Sequence, residues 1–239
     1  LNSYPIVLST RGHGTVHPVY PNYNEFNYVI AGLDIEGKRI LLDASSDLSF
    51  GELPLKCRNS QGWLVDDKEK GWIDLKKDSK YEVTSLINIK IDAEKLDIEI
   101  TQRRKSYASF DKIDQIKEMS DEEFRADLAN TFIDFEIDSI ELLNVDYSKP
   151  LTLKYSLTKQ NDDQGLFYIK PILTGSISEN PFSREKRNSP IDFPYKQKYN
   201  VITTIEVPDG YSVELPESSI IRLPNNDGEF RLIIAHSNN

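Results

Sequence analysis

Between Tyr81 and Ile100 the chain keeps a two-residue rhythm. Val83, Ser85, Ile87, Ile89 and Ile91 alternate with mostly polar neighbours, and Leu96, Ile98 and Ile100 resume the alternation after the turn DAEK. Successive side chains of a strand point to opposite faces, so this spacing predicts a hairpin with one buried face and does not suit a helix. A half-buried sheet is therefore the frame against which the other apolar runs are read.

Similar signals lie on both sides of it. Phe26 to Asp43 reads FNYVIAGLDIEGKRILLD, where the runs Tyr28 to Ala31 and Ile40 to Leu42 flank a polar, Gly-containing turn, as two antiparallel strands would. Pro5 to Ser9 predicts a short strand. It leads into a loop, Thr10 to Asn24, dense in Gly, Pro and Asn, and loops of such length in compact units often carry function. FGELPLKCRNSQGWLV predicts two short extended pieces, with Trp63 and Trp72 as packing anchors. Ser120 and Glu123 form the S-x-x-E capping box of a helix that sets Phe124, Leu128 and Phe132 on one face, and Phe110, Ile113 and Ile116 have similar spacing just before it. Further strands are expected at 135–143, 151–157, 167–172, 199–207, 211–215, 220–223 and 230–235, with the Pro-rich Glu179 to Pro194 as a long crossover. The expected fold is mainly β (α+β). Antiparallel hairpins occupy residues 1–78, and a β-sandwich module spans 79–239 with a helical insert around 106–132.

Composition narrows the function classes. A net charge of −10 gives no concentrated basic surface, so no nucleic-acid partner is expected. Cys57 is the single cysteine, which excludes an intrachain disulfide and a cysteine-rich zinc site. No apolar run approaches the ~20 residues of a spanning helix, and no transmembrane segment is expected. The opening residues, YPIVLS, read as a strand already inside a fold, so an upstream part of the first unit is expected.

Few residues stand out as chemical candidates. Asp43 closes a buried run and is followed by the small residues Ala44, Ser45 and Ser46. His13 and His17 have the H-x3-H spacing that serves zinc on a helix, but Pro18 and the neighbouring glycines argue against a helix and no third ligand is apparent. The expectation is therefore no metal and no cofactor, with loop histidines that cap turns or contact Asp43; His13 is also the one candidate for a substitute base. Cys57, beside Leu55 and Lys56, reads as a structural thiol on a half-buried strand. Arg103, Arg104, Lys105, Arg184, Lys186 and Arg187 read as solvated turns in preference to an anion site.

The segments PIVLSTRGHG, FNYVIA and LLDAS resemble the transglutaminase-like branch of the papain-type cysteine enzymes. Those enzymes use a Cys at a helix start, a His on a following strand, and an Asp or Asn on the next strand that orients the imidazole. The extracytoplasmic members read F-N-H-V-I where this chain has Phe26, Asn27, Tyr28, Val29 and Ile30. The resemblance thus puts Tyr28 in the histidine's place and Asp43 in the acid's. A phenol with a pKa near 10 is a poor base at neutral pH. The nucleophile has no counterpart, because Cys57 lies on the wrong side of Asp43. The rest of the chain, including SPIDFPY, resembles β-rich modules of unknown function that follow such cores in Bacteroidetes proteins.

The resemblance implies an extracytoplasmic location, periplasm or cell surface. It implies a degenerate, non-catalytic unit carrying a module that binds or scaffolds, with peptide or glycan as the partner class. Two other readings stand beside it. In one, a parent protein supplies a nucleophilic Cys upstream of Leu1 and acts as a protease, amidase or transglutaminase. In the other, the chain is a glycan-binding or adhesion module with an exposed platform of Tyr residues. The oligomeric state cannot be read from the sequence.

Overall fold

The computed structural model describes residues 2–76, 80–92, 94–160, 166–175, 182–183, 186 and 191–236. The first sheet holds β1 (Asn2–Leu8), β2 (Tyr28–Ile35), β3 (Lys38–Leu42), β4 (Gln61–Leu64) and β5 (Gly71–Asp74), in the order β3-β2-β1-β4-β5. Every pairing in it is antiparallel. The β2–β3 hairpin turns through Glu36 (φ 49°) and Gly37 (φ 76°). Two successive positive φ values match the twist of the strands, which is why Gly sits there. Tyr4, Ile6, Leu8, Ile30, Leu53, Cys57, Leu64 and Leu75 form the core beneath this sheet. Trp63 and Trp72 meet edge to face across the β4–β5 pair with centroids 5.1 Å apart, and Phe26 stacks on Trp72.

The second sheet is built on the alternation between Tyr81 and Ile100. β6 (Lys80–Ile91) and β7 (Lys95–Ser106) pair along their whole length, β8 (Glu136–Leu143) and β9 (Leu151–Gln160) extend the sheet, and β10 (Lys196–Glu206) lies on the other side of β6. The order is β10-β6-β7-β9-β8. The helical insert is α1 (Tyr107–Glu118) and α2 (Asp121–Thr131), and the Ser120–Glu123 capping box starts α2. Ile113, Phe124, Leu128 and Phe132 pack with Ile87, Ile89, Ile98, Ile100 and Leu153. One face of the sheet is therefore covered by the helices. β11 (Ser219–Arg222) and β12 (Glu229–Leu232) form a separate antiparallel pair. The architecture is mainly β and almost wholly antiparallel.

Several expectations are corrected. Residues 167–172 are not a strand: Phe167, Ile169 and Leu173 pack on the second core as irregular chain. Residues 211–215 are likewise irregular, and Tyr211 packs edge-on to Phe167 at 5.8 Å. The apolar side chains of Phe167, Ile169 and Leu173 serve the second core while their backbone joins no sheet, and Pro171 within the first segment lacks an N–H to give to a ladder. The β10–β6 pair is parallel, a crossover that hairpin spacing does not reveal. Cys57 ends a single 3-10 turn, Leu55–Cys57, where a strand was expected. Arg184, Arg187 and the Ser189–Pro190 start of SPIDFPY lie outside the described residues.

The two sheets meet at Tyr107. Its phenol donates to the Leu53 carbonyl at 2.7 Å and accepts from the Leu53 N–H at 3.2 Å and from Arg58 Nη1 at 3.1 Å. Arg58, only 3% exposed, also donates through Nε to the Pro194 carbonyl at 3.1 Å. Arg11 and Lys76 both pair with Asp192, Arg11 at 2.8 Å, and the ring of Tyr195 stacks between Tyr81 and Tyr107.

Candidate functional site

Tyr28 is brought to Asp43 by strand pairing. Tyr28 opens β2 opposite Leu8 of β1, and the β2–β3 register runs to Ala31 and Leu42, so Asp43 leaves β3 beside the start of β2. The phenol donates to Asp43 Oδ2 at 3.0 Å, with Oδ1 at 3.3 Å. Asp43 Oδ1 also accepts the Ser45 backbone N–H at 2.8 Å, an Asx turn that the small residues after Asp43 make possible.

Three further side chains complete the cluster. Ser45 Oγ lies 2.8 Å from the Tyr28 phenol and accepts from Lys56 Nζ at 3.2 Å. The same ammonium sits over the Tyr28 ring, 4.4 Å from its centroid, a cation–π contact. Cys57, buried at the end of its 3-10 turn, donates its thiol to Asp43 Oδ2 at 3.5 Å. Since the phenol has a single proton and Asp43 accepts it, donation runs one way, from Lys56 to Ser45 to Tyr28 to Asp43.

Electrostatics follow from these contacts. Burial pushes the Asp43 carboxyl up, but the Ser45 amide and hydroxyl, the Tyr28 phenol and the Cys57 thiol together outweigh it and hold the group below the usual carboxylate range. Burial, then the hydrogen bond to Asp43 and its charge, push the Cys57 thiol up to about 12. Cys57 is thus a neutral thiol at physiological pH, whereas nucleophilic cysteines are thiolates. The Tyr28 phenol, then the charge of Asp43, move the Lys56 ammonium upward, so it acts as a cation and hydrogen-bond donor in preference to a base.

The loop histidines find other partners. His17 Nδ1 lies 2.7 Å from Glu25 Oε1, and its backbone N–H donates to the same carboxylate. His13 Nε2 lies 3.2 Å from the Asn24 carbonyl. Among the described residues neither imidazole is hydrogen-bonded to Asp43, and no group of three His, Cys, Asp or Glu gathers as a metal site would require. Of the basic residues considered for an anion, Arg104 is turned onto its own sheet, donating to Gln102 Oε1 at 2.7 Å.

Ser45 and Lys56 escaped the sequence reading. Ser45 was visible only as a small residue after an acid, and Lys56 reaches the cluster from the 3-10 turn Leu55–Cys57. No spacing rule links positions 43 and 57, since the loop between them holds no regular element before Leu55.

Residues 165–239 match the model of DUF3858, described as a domain of unknown function with a solved structure. The match takes in β10, β11 and β12 and leaves the first sheet, with Tyr28 and Asp43, outside it. No curated protein and no solved structure matches the chain. The C-terminal part of this chain, then, is similar to DUF3858.

Proposed function

We propose that this chain is a non-catalytic, degenerate transglutaminase-like unit whose β-rich module binds or scaffolds extracytoplasmic peptide or glycan. The observation that carries the reading is the set of groups around Asp43: a phenol, a backbone amide and a neutral thiol, in the place where the resembling enzymes hold an imidazole. Asp43 keeps the acid's position, yet its lone pairs serve to fix a turn and a strand end. The Tyr28 phenol donates a hydrogen bond to Asp43, and a phenol is a poor base for taking a proton from a nucleophile.

The test is mass spectrometry of peptide amides and glutamine donors incubated with this chain. No turnover is expected, and none is expected from a Tyr28→His variant, because Cys57 keeps its proton. Turnover by the chain that an Asp43→Ala substitution abolishes would overturn the proposal.

A second reading, a glycan-binding module, is supported by Tyr20 and Tyr23, which are 84% and 89% exposed on the loop before β2. Flat, exposed aromatic rings suit the apolar faces of sugars. A glycan array on which Tyr20→Ala binds as well as the parent chain counts against it.

A further inference from the structure

We propose that β10 is a dimerisation edge, joining two copies of this chain through antiparallel β10–β10 pairing into one continuous sheet. β10 ends the second sheet, and among the described residues its backbone bonds only to β6. An unpaired edge of this length is normally blunted by proline, a bulge or charge. From Tyr199 to Ile205, YNVITTI, this one has no charged residue and no proline, and its ladder with β6 runs without a register shift.

The side chains on this edge complement themselves. β6 buries Val83, Ser85, Ile87 and Ile89, so their β10 partners Tyr199, Val201, Thr203 and Ile205 face the helix-covered side. Ile202, paired with Leu86, faces the opposite side, and the two are 57% and 45% exposed. A two-fold axis through Ile202 sets Ile202 against its own copy, Tyr199 against Ile205, and Val201 against Thr203. The same axis sets Lys198 against Glu206 at both ends. Glu206 is open to a second cation, since Lys90 stands 3.9 Å away with both side chains 65% exposed. Directly opposed opposite charges and aromatic–aliphatic pairs are favourable cross-strand pairs, and like charges there are not. A two-fold contact is self-complementary by construction, which these residues satisfy.

The test is the molar mass of the intact chain by light scattering across a dilution series, with a cross-linking arm. The expected mass is twice 27.4 kDa at high concentration. Ile202→Lys, an exposed change that leaves the fold intact, is expected to weaken dimerisation by about tenfold or more. Lys198→Glu and Glu206→Lys are each expected to weaken it, and the double variant to restore it. Ile202→Cys is expected to form a covalent dimer on mild oxidation, since opposed residues lie within disulfide reach, while Ile221→Cys on β11 does not; Cys57 is buried and does not compete. A single-chain mass at every concentration overturns the proposal. So does a dimer that survives Ile202→Lys, or one that cross-links at position 221 and not at 202.

Discussion

Asp43 gathers more of this molecule's polar chemistry than any neighbour, and its environment can be tested through protonation. A carboxyl that is more acidic in the folded chain than in the unfolded one stabilises the fold above its unfolded pKa, about 3.9 for Asp. That contribution is lost as pH falls through the folded value. The stability difference between the parent chain and Asp43→Asn is therefore expected to be full at neutral pH and to shrink below about pH 4; urea titrations at several pH values measure it. Tyr28→Phe removes the phenol's hydrogen bonds to Asp43 and Ser45 and is expected to cost about 1 kcal/mol, read by the same method. Cys57 offers a separate check. With its thiol held up to about 12 and fully buried, it is expected to resist alkylation at neutral pH in the native chain and to react once urea unfolds it. Intact-mass spectrometry distinguishes the two. The order Tyr28 then Asp43 was legible because both sit on one hairpin. The thiol's place beside them was not, because a chain segment without regular structure connects them.

At the scale of elements, the first sheet has a close packing point where Tyr4 crosses Gly32. The two residues pair across β1 and β2, and the Tyr4 phenol donates to Asp34 at 2.7 Å while Arg39 lies over its ring and pairs with Asp34 and Glu69. A methyl group at Gly32 would overlap the Tyr4 ring and come within 2.9 Å of Ile6 Cδ1. Gly32→Ala is therefore expected to destabilise the chain by about 1–3 kcal/mol through overpacking, measured as a lower urea midpoint at unchanged slope. Hairpins and the capped helix were readable because their signals are local: alternation, two residues with positive φ, and a hydroxyl and carboxylate three positions apart. The expected strands at 167–172 and 211–215 failed for a non-local reason. Apolar alternation supplies side chains for a core, but a strand also needs a partner backbone, and Phe167, Ile169 and Leu173 reach the second core from a segment that joins no sheet.

For the whole molecule, the junction at Tyr107 is the point where two separate cores become one structure. Tyr107→Phe would leave the Leu53 amide and carbonyl and one Arg58 nitrogen unpaired in a buried place, beside Arg58 Nη2, which has no protein partner among the described residues. The expected cost is about 2–4 kcal/mol, several times that of Tyr28→Phe. Unfolding followed by Trp fluorescence, which reports Trp63 and Trp72 in the first sheet, is expected to separate from unfolding followed by far-ultraviolet dichroism in this variant. Coincident curves would mean that the two cores remain coupled without Tyr107.

By itself the sequence determined the secondary-structure grammar: two hairpins with known faces, a capped helical insert, and an acid held at a strand end next to a tyrosine. Each of these depends on contacts between residues close in the chain or on a period that one strand carries alone. Only the tertiary structure decided which strand flanks β6, that β10 runs parallel to it, that Tyr107 joins the sheets, and that Asp43 meets a thiol and a serine. Those outcomes depend on which distant backbone edges and buried polar groups find one another, and that competition is settled by the packing of the whole chain.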